Sequence, residues 1–278
     1  PSSTAPSSTA PSSTAQPTVA GVFVAAGVRQ WLHCQGSGPL TVVVVTGLQT
    51  PASAWASVRP TLERITRTCV YDRPGLGRSP ARHDTTRVVD AELYARELVA
   101  LLAAAGEGRR VVLVGHSFGG LIARAFVAID PTRVRGVLLA ESVTPHDPTT
   151  GAYWAEAGHR VNMVASSVAA SPPKASHEPA FGRLPLLVLS ASNPEGDHLG
   201  GPTYGQPPSR TELWRTQQRA ELALSDNAIQ VIARSGHVLQ QDNPAAVVDA
   251  VRALVTAATT GKFLQCKNIW HDDKATCR

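Results

Sequence analysis

The stretch Val111-Val112-Leu113-Val114-Gly115-His116-Ser117-Phe118-Gly119-Gly120 decides the fold. An apolar strand, Arg110 to Val114, runs straight into a turn, and a helix from Phe118 to Ile129 opens straight out of it. The turn reads G-x-S-x-G, a pattern that occurs often by chance but here stands in the strand–turn–helix context that nucleophilic chemistry needs. A serine held in so tight a turn takes a strained backbone conformation and projects its side chain outward. Its neighbours two places either side pack too closely for a Cβ, so sterics demand Gly115 and Gly119. The helix beginning at Phe118 aims backbone N–H groups and the positive end of its dipole at the same spot. Ser117 reads as a nucleophile. The alternatives are a glycine-rich turn with an incidental serine and a phosphate loop, but neither G-K-[ST] nor G-x-G-x-x-G is matched here.

On the C-terminal side of this unit, a strand from Val134 to Ala140 completes a strand–helix–strand rhythm that requires a parallel sheet with right-handed crossovers. On the N-terminal side, Asp90 can cap an amphipathic helix whose Tyr94, Leu98, Leu101, Leu102 and Ala105 follow helical spacing, with Gly106 to end it. Before that come short strands at Val22 to Ala25 and Val28 to Cys34, and a strand from Thr41 to Thr46 that is apolar on both faces. A helix over Ala54 to Arg64, a strand from Thr66 to Tyr71 and the glycine-rich loop Asp72 to Ser79 follow. From Ser142 to Arg183 the strand signal is lost, and the chain makes an excursion over the sheet with a short helix expected near Tyr153 to Val164. The rhythm resumes with strand Leu184 to Ser190, a helix around Glu212 to Leu224, strand Ala228 to Ala233 and a last helix from Asn243 to about Ala258. The expected organisation is a disordered Ser/Thr/Pro linker over 1–17, one domain over 18–260 with a lid at about 142–183, and a disulfide-closed tail over 261–278.

Composition narrows the function classes. Hydrophobic residues at 43% and charged residues at 17% are the proportions of a globular protein, and no apolar run approaches the roughly 18–20 residues of a membrane span. The net charge of +5 is spread singly, with no basic stripe interleaved with aromatics, so no nucleic-acid partner is expected. The first fifteen residues are PSSTA written three times, too poor in apolar side chains to offset the entropy of ordering, and of the composition found in O-glycosylated stalks. No apolar leader precedes the repeat, so the start is either that of a mature exported chain or that of a chain never exported. Cysteine usage favours export. Cys34, Cys69, Cys266 and Cys277 allow three pairings, of which Cys34–Cys69 and Cys266–Cys277 are expected; four reduced thiols in a cytosolic enzyme are the alternative. No Cys/His cluster has zinc-ligand spacing, so neither metal nor cofactor is expected.

Four stretches together resemble the α/β-hydrolase family over roughly Thr18 to Ala258. They are Thr46-Gly47-Leu48 after the third strand, the Asp72 to Ser79 loop after the fourth, Gly115 to Gly120, and Ser235-Gly236-His237 near the end. The resemblance implies an α/β-hydrolase fold: an eight-stranded, mostly parallel sheet flanked by helices, in the order 1-2-4-3-5-6-7-8 with the second strand antiparallel and a small lid between strands 6 and 7. That order sets the strand holding Cys34 beside the strand holding Cys69, which supports their pairing independently of compartment. Secreted esterase- and lipase-like members are similar in this respect.

A serine hydroxyl needs a base within hydrogen-bond reach. Of nine histidines, His237 follows the last strand directly, Gly236 lets its loop turn back toward the sheet, and the family places the histidine of its triad last. His116 adjoins Ser117 but points elsewhere because of the turn. The acid that orients the base should sit buried at a strand end. Glu141, directly after Leu138-Leu139-Ala140, fits that place, as in certain haloalkane dehalogenases that carry the acid after the sixth strand. Asp197, after the seventh strand, is the alternative acid at the family's more frequent position, although the usual Gly-x-x-Asp turn is missing. A different role for Glu141 is an ion pair with a nearby arginine such as Arg73. The oxyanion of ester hydrolysis needs preorganised donors, and these are expected at the backbone N–H groups of Phe118 and Leu48. The family's common His-Gly before that second donor is Thr-Gly here.

The expected function is hydrolysis of a small-molecule carboxylic ester by a secreted, monomeric serine hydrolase, through an acyl-enzyme and with preference for short-chain aryl esters. The scaffold alone does not fix this. An aminopeptidase or amidase is the nearest rival, with Glu156 or Glu178 as candidates to receive a free amine. A catalytically silent hydrolase fold used for binding is the rival from another class. Epoxide hydrolase and dehalogenase chemistry are disfavoured, because both use aspartate where this chain has Ser117.

Overall fold

The computed structural model describes residues 16–145, 153–156, 158–162, 180–193, 210–268 and 276–277. In chain order the strands are β1 (Val19–Ala25), β2 (Val28–Gln35), β3 (Thr41–Val45), β4 (Arg67–Tyr71), β5 (Val89–Asp90), β6 (Val111–His116), β7 (Val134–Ala140), β8 (Tyr153–Glu156), β9 (His159–Asn162), β10 (Leu186–Ala191), β11 (Ala228–Ala233) and β12 (Thr276–Cys277). The helices are α1 (Arg59–Ile65), α2 (Ala91–Ala104), α3 (Phe118–Ile129), α4 (Arg210–Ala220), α5 (Leu239–Asp242) and α6 (Pro244–Thr260).

Strands β3, β4, β6 and β10 are buried at every position and mostly apolar, because both faces of the sheet are covered. In β3, Val43 and Val45 point into one core while Val42 and Val44 point into the other; in β6, Val111 and Leu113 part from Val112 and Val114 in the same way. Leu98, Leu101 and Leu102 of α2 and Leu121, Ile122 and Phe126 of α3 fill the first core. Leu62 of α1 and Val247, Val251 and Leu254 of α6 fill the second. Each such fully buried side chain contributes roughly 1.5–3 kcal/mol. The helix ends follow the local chemistry: the Asp90 side chain accepts a hydrogen bond from the Leu93 N–H at the start of α2, and Asn243 does the same from Ala246 at the start of α6.

The main sheet runs β1-β2-β4-β3-β6-β7-β10-β11-β12. Leaving out the short β5, β8 and β9, its first eight strands have the expected order, with β2 antiparallel to both neighbours. The ninth strand was not expected. β12 comes from the C-terminal tail, where the Cys266–Cys277 disulfide holds Thr276 and Cys277 antiparallel to Ile232 and Val231. The other bridge joins Cys34 to Cys69, which face each other directly in the β2–β4 register.

The excursion also differs from expectation. The helix expected near Tyr153 to Val164 is instead a hairpin of β8 and β9, turning at Gly158 with φ 79°. Helical periodicity lost here to a partner distant in sequence, since β9 pairs in parallel with β5 at Val89 and Asp90. The PSSTA repeat lies outside the described residues, as do most of the lid and Asp197.

Candidate active site

β6, β7, β10 and β11 are mutually parallel neighbours, so the residues that follow them gather at one edge of the sheet. Ser117 follows β6, Glu141 follows β7, and His237 lies in the loop after β11. The crevice at the carboxyl ends of parallel strands is where ligands bind in open α/β sheets.

The turn at Ser117 is built by exclusion. A Cβ on Gly115 would lie 2.7 Å from the Gly119 carbonyl oxygen, and one on Gly119 would lie 2.0 Å from that of Val45. Ser117 itself has φ 53° and ψ −124°, and its N–H donates to the Ala140 carbonyl. Four non-glycine residues among those described have positive φ: Ala26, Gln49, Ser117 and Glu141. Ala26 belongs to the β1–β2 turn; the other three surround this site. Such conformations cost about 1–3 kcal/mol each and persist where the surroundings over-determine them.

Glu141 is fully buried, and each of its oxygens has a donor. Oε1 accepts from the Ala191 N–H at 2.7 Å, and Oε2 accepts from Trp214 Nε1 at 2.9 Å. His237 Nδ1 lies 3.3 Å from the same Oε2. Arg73 is therefore not the partner of Glu141. The Trp214 indole also meets the His237 ring edge-on, with centroids 5.9 Å apart. The loop carrying His237 is fixed from two sides: Gly236 N–H donates to Asp242 Oδ2 at 3.0 Å, and His116 Nε2 lies 2.9 Å from the His237 carbonyl oxygen. Burial, reinforced by the neighbouring His237, pushes His116 down to about 3, so it stays neutral and donates through Nε2. Among the described residues no hydrogen bond joins Ser117 Oγ to the His237 ring in this conformation.

The loop after β3 lies against the serine, since a Cβ on Gly47 would come 3.2 Å from Ser117 Cβ. Leu48 follows there, half-buried, while Phe118 is fully buried at the first turn of α3. Beneath this loop, Arg73 donates to the carbonyl oxygens of Thr46 and Gly47 and pairs with Glu156 at 2.6 Å, with neither side chain exposed. Glu156 is thus neutralised by Arg73 and is no open receptor for an amine; Glu178 lies outside the described residues.

Sequence reasoning missed Trp214, the roles of Arg73 and Glu156, and the tether from His116. The available signal for Trp214 was weak: a lone large aromatic in the polar helix α4. Among the described residues Cys34, Cys69 and Glu107 come together with metal-ligand spacing, but both sulfurs are in a disulfide and Glu107 is paired with Arg67. Disulfide sulfurs are weak donors and the Glu107 charge is already met by Arg67, so this set carries no case for a metal site.

Comparison with known proteins agrees with this architecture. The sequence profile of the alpha/beta hydrolase family matches residues 42–250. The chain is 34% identical over 136 residues to 2-hydroxymuconate semialdehyde hydrolase of Pseudomonas sp. strain CF600, covering 48% of this chain and 47% of the relative. It is 34% identical over 144 residues to lipase LipV of Mycobacterium tuberculosis, covering 51% and 49%. The match thus spans about half the length of these curated relatives. In three dimensions the chain is similar to a thermophilic esterase from Thermogutta terrifontis, with a TM-score of 0.61, 19% identity, and coverage of 87% of this chain and 99% of the other.

Proposed function

This chain belongs to the alpha/beta hydrolase family, and on that premise we propose that it is an exported serine hydrolase cleaving carboxylic esters through an acyl-enzyme. Ser117 Oγ attacks the ester carbonyl while His237 Nε2 takes its proton. The N–H groups of Leu48 and Phe118 receive the oxyanion of the tetrahedral intermediate. Collapse expels the alcohol, which takes the proton back from His237. Water then attacks the acyl group, again with His237 as base, and frees the carboxylic acid and Ser117. Glu141 holds the imidazole in one tautomer and stabilises it when charged.

The observation that carries this reading is the contact of His237 Nδ1 with the buried Glu141 carboxylate. It leaves Nε2 as the nitrogen open to accept a proton, at the sheet edge where Ser117 also stands. Preference for ester over peptide substrates is supported by the likeness to a lipase and by the pairing of Glu156 with Arg73. Two disulfides favour an oxidising, extracellular setting.

A panel of p-nitrophenyl esters from acetate to palmitate, matched amides and thioesters, run on wild type and Ser117→Ala, tests the proposal. Turnover of short-chain esters that disappears in the variant is expected. Equal turnover by both forms would remove Ser117 as the nucleophile, and none by either would favour a binding protein.

A further inference from the structure

Arg73 and Glu156 form a fully buried ion pair that ester cleavage, as set out above, does not use. A buried pair is costly to desolvate and could be replaced by apolar packing, so its contacts deserve an account. Arg73 spends its donors on one short segment. Nη1 reaches the Thr46 carbonyl oxygen at 2.7 Å, Nη2 reaches that of Gly47 at 2.5 Å, and Nη2 and Nε hold the Glu156 carboxylate. Glu156 Oε1 accepts from the Gln49 N–H at 2.8 Å, just where the chain turns through φ 54°. The guanidinium also lies over the Phe118 ring, 5.7 Å from its centroid.

The Gly47 carbonyl and the Leu48 N–H belong to one planar trans peptide and point in opposite directions. Fixing the oxygen therefore aims the N–H. A cation on that oxygen also withdraws electron density through the amide and makes its N–H a stronger donor. Glu156 supplies the counter-charge and occupies the next N–H, that of Gln49, so the turn cannot rotate. From this geometry we infer that Arg73 and Glu156 are positioning residues that lock and polarise the Gly47–Leu48 peptide as an oxyanion donor. The β8–β9 hairpin, which brings Glu156, is accordingly a fixed part of the site. This inference rests on the proposed serine mechanism.

The test measures kcat and KM on p-nitrophenyl acetate, together with inhibition by benzeneboronic acid, whose tetrahedral serine adduct mimics the intermediate. Wild type, Glu156→Gln, Arg73→Lys and the double variant Arg73→Met/Glu156→Leu are compared after far-UV circular dichroism. The double variant leaves no orphaned charge and gives an answer if a single variant does not fold. A drop in kcat of about 10–100-fold in the folded variants is expected, with KM within about threefold and boronate affinity falling in parallel. Folded variants with kcat and boronate affinity within twofold of wild type would overturn the positioning role while leaving the serine mechanism standing. A wild type that neither turns over the ester nor binds the boronate would remove both together.

Discussion

The Glu141 carboxylate meets His237 Nδ1 at 3.3 Å from a backbone with φ 46°, a left-handed conformation unusual for glutamate. Three donors converge on it: the Ala191 N–H, the Trp214 indole and the imidazole. A side chain so placed in a buried position can orient the ring but cannot easily leave it. Glu141→Gln keeps the shape and removes the charge, and kcat for a short ester is expected to fall about 10²–10⁴-fold with the fold intact. Trp214→Phe, which keeps the ring but loses the N–H, should cost only about tenfold. Stopped-flow or steady-state release of p-nitrophenol measures both.

The Cys34–Cys69 bridge closes a separation of 35 residues and is fully buried between β2 and β4. Loop-closure entropy assigns it about 4 kcal/mol, against about 3 kcal/mol for Cys266–Cys277 with its separation of 11. Urea unfolding of Cys34→Ala/Cys69→Ala and Cys266→Ala/Cys277→Ala should show both losses, the first the larger. Neither pair touches the site, so kcat per folded molecule should stay within twofold.

Burial raises the Glu221 carboxyl to about 7 in the folded chain, against the opposing pull of Arg124, from an ordinary 4.5. The folded state therefore holds a proton that the unfolded state has lost between those values. Its contribution is fully present below about pH 4.5 and is lost as pH rises through about 7. The difference is of the order of 3 kcal/mol. In urea titrations at pH 5 and pH 8, wild type should lose about that much more stability on going to pH 8 than Glu221→Gln. Equal losses would contradict it.

The sequence made legible whatever depends on neighbours along the chain. β3 and β6 were readable because strands covered on both faces carry unbroken apolar runs, and α2 because its stripe and its Asp90 cap coincide. The strand-end places of Ser117, Glu141 and His237 followed from the same rhythm. What stayed hidden depends on contacts between distant segments. The β8–β9 hairpin is selected by Val89 and Asp90, some seventy residues earlier, and β12 exists because a disulfide holds two residues against β11. Trp214 reaches Glu141 across 73 positions and Arg73 reaches Glu156 across 83, separations at which residue spacing carries no signal.

The proposed chemistry requires one activated hydroxyl, that of Ser117. Incubation with a fluorophosphonate followed by mass spectrometry of the tryptic peptide Val111 to Arg124 measures this directly. A single phosphonyl adduct on Ser117 is expected, formed far more slowly in His237→Ala. An adduct on another residue, or no adduct on a folded wild-type chain, would contradict it.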